Sequence, residues 1–175
     1  MKFAVPPSRV GGCLVVCLLV FEGCTPAAPP GGLGDVEKKF TDAKTLLEQN
    51  GATLTQKTYA MNQAGWAVDL SGKELKPETF DGLARLVSLS ELILKGAKIT
   101  DEQMAQIGNL RTLYVLDVSN TPVSDSGLAQ LKQNSLSKLD VSGTKVTSTA
   151  IAALEKRYAT DPDINPFFRK IQVKK

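Results

Sequence analysis

The sequence predicts an α/β fold: about four strand–turn–helix units stacked along a curved parallel sheet, with a cap at each end. Two observations carry this prediction. The first is self-similarity around "ELILKGAKITDEQMAQI", residues 91–107. A shift of 24 carries Leu92, Leu94, Ile99, Met104 and Ile107 onto Leu116, Val118, Val123, Leu128 and Leu131. A further 23 carries them onto Leu139, Val141, Val146, Ile151 and Leu154, and 24 in the other direction gives Val68, Leu70, Leu75, Phe80 and Leu83. At 42% apolar content, chance does not fill every one of these slots with a large apolar residue. The second observation is what the chain lacks. Histidine is absent, and Cys13, Cys17 and Cys24 all fall within the first 24 residues. The body of the protein therefore holds by packing, without an internal disulfide or a thiolate zinc site.

The first 23 residues read as a signal peptide. Lys2 and Arg9 precede the apolar run "VGGCLVVCLLVF", twelve residues long, where a membrane span needs about 20. "FEGC" follows, with a small residue before Cys24, and then "TPAAPPGGLG". This arrangement resembles a bacterial lipoprotein signal, in which the cysteine is lipidated and becomes the first residue of the mature chain. The resemblance implies a lipid anchor on Cys24 and a membrane-anchored place in a bacterial envelope, periplasmic or surface. Phe21 and Glu22 stand where that family prefers Leu and Ala or Ser, so ordinary secretion stays open. The Pro- and Gly-rich residues 24–34 read as a tether.

Residues 35–64 form the expected N-terminal cap. "DVEKKFTDAKTLLEQNG" puts Val36, Phe40, Ala43 and Leu47 on one helical face, starting at Asp35 as N-cap and stopping at Asn50-Gly51. "ATLTQKTY" alternates like a strand and pairs with "WAVDL" through a turn at 61–65.

Residues 65–157 carry the four units. Each reads as a short strand, a turn at Gly72, Gly96, Asn120 or Gly143, and a helical half with Thr, Ser or Asp near its start, as in "ITDEQM", "VSDSGL" and "VTSTAI". With Leu89, Leu113 and Leu136 as leading leucines and Gly65 in that slot of the first unit, the pattern resembles the leucine-rich repeat family, in its bacterial Thr-Asp-x-x-Leu variety. The resemblance implies a short solenoid and a protein–protein interaction module. Where the family has Asn or Cys, this chain has Lys73, Ala97, Thr121 and Thr144, and a less regular ladder is expected at the first two. One such unit cannot offset the cost of ordering itself, so neighbours and caps are required. Residues 158–175 supply the C-terminal cap, with Phe167, Phe168, Ile171 and Val173 covering the last unit.

The outward strand positions form columns. One is Asp69, Ile93, Asp117 and Asp140; the next is Ser71, Lys95, Ser119 and Ser142; the preceding one is Ala67, Glu91, Val115 and Lys138. Trp66 and Tyr114 stand one place earlier. From these we take a candidate binding face of Trp66, Asp69, Glu91, Ile93, Lys95, Tyr114, Val115, Asp117, Ser119, Lys138 and Asp140, because an aromatic pair beside mixed charges suits a protein partner. Trp66 reads equally well as a core-margin residue. The aspartate column reads as a solvated acidic stripe rather than a cation site, since Ile93 interrupts it.

Other functions find little support. A formal net charge of +3 gives no case for nucleic acid. The basic excess over residues 156–175 reads as a solvated end. Without histidine the commonest general base and metal ligand are missing, and no Gly-rich phosphate loop occurs, so neither catalysis nor a cofactor is expected. A structural envelope role without a specific ligand is the alternative. A carboxylate-dependent hydrolase is a distant third.

Overall fold

After an N-terminal helix and two antiparallel strands, helix and strand alternate along the chain, and every strand pairs with its sequence neighbour. The computed structural model describes residues 33–59, 63–132, 135–164 and 169–175, with main chain only at 33, 34, 59 and 63. The signal segment with Cys24, the tether up to residue 32, and Phe167 and Phe168 lie outside the described residues. Leu33–Lys175 is one compact unit, and no helix among the described residues is long and apolar enough to cross a membrane.

The N-terminal cap is α1 (Leu33–Gln49) followed by β1 (Thr53–Tyr59), antiparallel to β2 (Gln63–Asp69). Asp35 is not the N-cap, because α1 starts two residues earlier and places it in the first turn. A carboxylate in the first turn suits the positive end of the helix dipole. Ala43 and Leu47 are buried and Phe40 packs beside them. Val36 departs from the expected apolar face, at 51% exposed, because the first turn runs past the core that Ala43 and Leu47 enter.

Then follow α2 (Pro77–Arg85), β3 (Leu89–Ile93), α3 (Asp101–Ile107), β4 (Val115–Asp117), α4 (Asp125–Ala129), β5 (Lys138–Asp140), α5 (Ser148–Thr160) and β6 (Gln172–Lys174). The six-stranded sheet runs β1-β2-β3-β4-β5-β6, parallel from β2 onward. Val68, Leu92, Leu116, Leu139 and Val173 lie in one register across it. Every apolar slot of the 24/24/23 pattern is buried except Ile151, which is half-buried against the core. The leading Leu89, Leu113 and Leu136 are buried too.

After each of the first four inward-facing strand ends the chain turns through a left-handed residue: Gly72, Gly96, Asn120 and Gly143, with φ of 68°, 65°, 55° and 71°. Such φ values favour Gly and tolerate Asn. The irregularity expected at Lys73 and Ala97 is not found. Ala97 N–H donates to Leu94 O at 2.9 Å, Lys98 N–H to Lys73 O at 2.9 Å, and Glu74 bridges Lys98 in parallel fashion. The turn is closed by main chain, so a polar side chain there is an addition: Thr121 and Thr144 hydroxyls donate to Val118 and Val141 carbonyls at 2.6 Å each.

The C-terminal end differs from a simple cap. The last helix continues to Thr160, and β6 adds a sixth strand on β5. Tyr158, Ile164 and Ile171 are buried at this end, with Val173 half-buried. Tyr158 and Ile164 escaped the sequence reading because they lie outside the repeated spacing.

Candidate functional site

Strand alternation makes the site. Because side chains at i and i+2 share a face, burying Leu92, Leu116 and Leu139 turns their flanking residues to the open side. Strand pairing then fixes rows: Thr55, Ala67, Glu91, Val115, Lys138 and Gln172 in one, and Thr53, Asp69, Ile93, Asp117, Asp140 and Lys174 in the next. Two of the three columns read from sequence are these rows, lengthened by β1 and β6; the third, Ser71, Lys95, Ser119 and Ser142, falls just past the strand ends.

The centre is apolar and its flanks are charged. Val115 is the strand partner of Glu91 and Lys138, while Ile93 is the partner of Asp69 and Asp117. Ile93 and Val115 thus stand diagonally on adjacent strands, both half-buried. They help line a shallow concavity of about 360 Å³ with Glu91, Asp117, Lys138, Asp140 and Lys174. On one flank Lys57 Nζ donates to Glu91 Oε2 at 2.8 Å. That bond crosses β2, where Gly65 and Ala67 leave room, and Ala67 is buried although it faces the open side. On the other flank Lys174 Nζ donates to Asp140 Oδ2 at 2.8 Å. Partial burial works to raise the Asp140 carboxyl, but hydrogen bonds from Lys174 and Ser142 outweigh it and hold its pKa below the usual value. The same bond with Asp140 raises Lys174. Lys138 and Lys95 are exposed and form no ion pair among the described residues.

The aspartates have a structural task. Asp69 Oδ1 accepts from Ser71 N at 2.8 Å and Ser71 Oγ at 2.6 Å. Asp117 Oδ1 accepts from Ser119 N at 2.8 Å, and Asp140 Oδ1 from Ser142 N at 2.9 Å. Each caps its own strand end in an Asx-type turn. Among the described residues no group of three or more acidic or cysteine side chains is placed to hold a metal ion. Ser119 is buried, its carbonyl accepting Gly96 N–H at 2.7 Å, so it belongs to the ladder more than to the surface.

The two aromatics do not join this face as a pair. Trp66 shares the inward parity of Val68 and packs on Phe40 of α1, with ring centroids 5.3 Å apart and planes at 41°. It lies on the opposite side of β2 from Asp69. Tyr114, ahead of β4, is separated from it by β3 and is half-buried. Its N–H donates to Ser90 O at 2.8 Å and its carbonyl accepts from Ser137 at 2.8 Å and Lys138 at 3.1 Å.

Thr53, Thr55, Lys57, Gln172 and Lys174 are face residues that the sequence reading missed. The signal existed in the alternation of "TLTQKTY" and "KIQVKK", but using it required the register of β1 and the presence of β6.

No protein-family model matches the chain, and no curated protein matches it. The function of this face is argued from its geometry.

Proposed function

We propose that the protein is an envelope-anchored leucine-rich repeat lipoprotein that binds a protein partner on its open sheet face. The carrying observation is the Ile93–Val115 centre flanked by the Lys57–Glu91 and Lys174–Asp140 pairs. An apolar centre inside a polar rim is the anatomy of a protein interface. Ion pairs that already hold their side chains reduce the ordering cost of docking. The 24/24/23 spacing of buried side chains and left-handed turns supports the solenoid reading. The turn-capping aspartates favour binding over carboxylate chemistry, since each already has an oxygen committed to main chain.

Crosslinking in intact cells tests the face. Replacing Ile93 and Val115 by Ser together with Lys138 by Ala, with Asp117 kept because it caps its strand end, is expected to remove the crosslinked partner in a protein that still unfolds in one cooperative transition. An unchanged partner set would overturn the reading, and absence of any enriched partner would favour a scaffold role. For the anchor, Cys24→Ala is expected to move the protein out of the membrane fraction; persistence there would sink the lipoprotein assignment.

A further inference from the structure

We propose that an apolar groove beside the start of α1 rests on the surface of a lipid bilayer. The proposal rests on the lipoprotein reading of Cys24. Val36 and Val87, 51% and 56% exposed, are the large hydrophobic side chains that the described residues leave open to solvent. Both line one concavity of about 400 Å³, together with Phe40 and Trp66. Scattered single apolar residues are ordinary on a surface, but convergence of these in one groove marks a contact surface.

The chemistry of the groove fits the interfacial zone of a bilayer. Lys44 Nζ lies 5.8 Å from the Trp66 ring centroid, so an amphipathic indole stands beside an amine, at a groove whose apolar side chains are rimmed by Glu37, Gln56 and Ser88. Tryptophan with a flanking lysine prefers the level of lipid headgroups, with the ring down and the amine toward water. Glu37 in the groove offsets Lys44 at its margin, so attraction does not depend on headgroup charge.

Chain length selects the bilayer over other occupants. The described structure begins at Leu33, in the same helical turn as Val36, and Cys24 stands nine residues earlier. Nine extended residues reach about 30 Å at most, so a lipid on Cys24 holds the foot of α1 within that distance of the membrane. The groove is too small to bind lipid strongly alone, but a tether of this length raises its effective concentration there. The partner-binding face stays free, because Trp66 and Asp69 lie on opposite sides of β2.

Trp66 is the sole tryptophan of the chain, so its emission reads this groove and nothing else. The test places full-length acylated protein in phosphatidylcholine vesicles with and without brominated acyl chains. Bromine is expected to quench Trp66 in the wild type. In Val36→Asp/Val87→Asp the quenching is expected to be lost while the protein stays vesicle-bound and melts normally. Vesicle-bound wild type whose Trp66 escapes quenching would overturn the groove proposal and leave the anchor standing. Wild type that does not associate with vesicles would overturn the anchor and this proposal together. Trp66 shielded from acrylamide without vesicles, in a protein that sediments as a dimer, would assign the groove to a second copy of the chain instead.

Discussion

Asp125 holds Thr147 with both carboxylate oxygens: Oδ1 accepts the Thr147 N–H at 2.6 Å and Oδ2 accepts its hydroxyl at 2.8 Å. One unit earlier Asp101 does the same to Ser124, taking its N–H at 3.0 Å on Oδ1 and its hydroxyl on Oδ2, where the Ser126 hydroxyl also donates. Each aspartate stands in the first turn of its own helix, and each partner is the N-cap of the next. The N-cap side chain is already used on its own helix, Thr147 Oγ1 accepting from Ala150 N and Ser124 Oγ from Ser126 N. The preceding unit therefore satisfies the N-cap main chain. Stability is passed between neighbours, as stacked architectures require.

Asp125→Ala leaves the Thr147 amide and hydroxyl without this partner, and we expect a loss of about 1–2 kcal/mol in urea unfolding with unchanged m-value. Asp125→Asn keeps an oxygen for the amide and should lose less. A double-mutant cycle with Thr147→Ala should show coupling of at least about 0.5 kcal/mol; additive losses would mean that water replaces the bond.

Acid should expose the Asp101 contribution. Burial works to raise this carboxyl, but the bonds from Ser124, Ser126 and the Gly127 main chain outweigh it, so its folded pKa lies below the ordinary 3.8. A depressed folded pKa gives stability that is complete above the unfolded value and is lost as pH falls through the folded one. Urea midpoints of wild type should therefore fall as pH drops from about 5 to below 3, and Asp101→Asn should have a lower midpoint at pH 7 and a flatter acid limb. Parallel pH curves for the two proteins would remove Asp101 from the account.

The first unit breaks the pattern and shows its own substitute. Pro77 occupies the slot of Asp101 and Asp125, and Lys76 ahead of it makes no side-chain cap. The Thr100 amide turns instead to Gln103 Oε1 of its own helix at 3.0 Å, closing a capping box, and Gln103 Nε2 reaches back to Leu75 O at 3.0 Å. We expect Gln103→Ala to cost about 1–2 kcal/mol, the range for a lost cap and hydrogen bond. Pro77→Asp should recover part of that loss in the Gln103→Ala background and gain little in wild type. Equal effects in both backgrounds would contradict the substitution of one device for the other.

The sequence reading reached the strands, turns and buried slots because burial recurs at fixed spacing, and Leu92, Leu116 and Leu139 carry that spacing in their own identity. It missed the Asp101–Ser124 and Asp125–Thr147 bonds because a Thr-Asp pair looks like a helix start in isolation; which neighbour the carboxylate reaches depends on how the units stack. Trp66 illustrates the same limit. Its place one residue before an outward position suggested the binding face, but parity sends it to Phe40 on α1. β6 carries a single apolar residue, Val173, and sits 34 residues beyond its partner, outside any period that the chain repeats.

Gly96 offers a clean test of the left-handed turns. Its φ is 65°, and a Cβ added there would meet nothing within 4 Å, so conformation alone decides the cost. An L-residue in this region costs about 1 kcal/mol or more, with Asn favoured over Ala because its short amide bonds locally. Asn120 already holds the equivalent turn at φ 55°. We therefore expect Gly96→Ala to lower the unfolding free energy by about 1 kcal/mol and Gly96→Asn by roughly half of that or less. The ranking matters more than either value: if Ala were tolerated as well as Asn, the turn would have relaxed out of the left-handed region. The Gly96 N–H donates to Ser119 O at 2.7 Å, and loss of hydrogen-exchange protection at that amide in Gly96→Ala would show the relaxation directly.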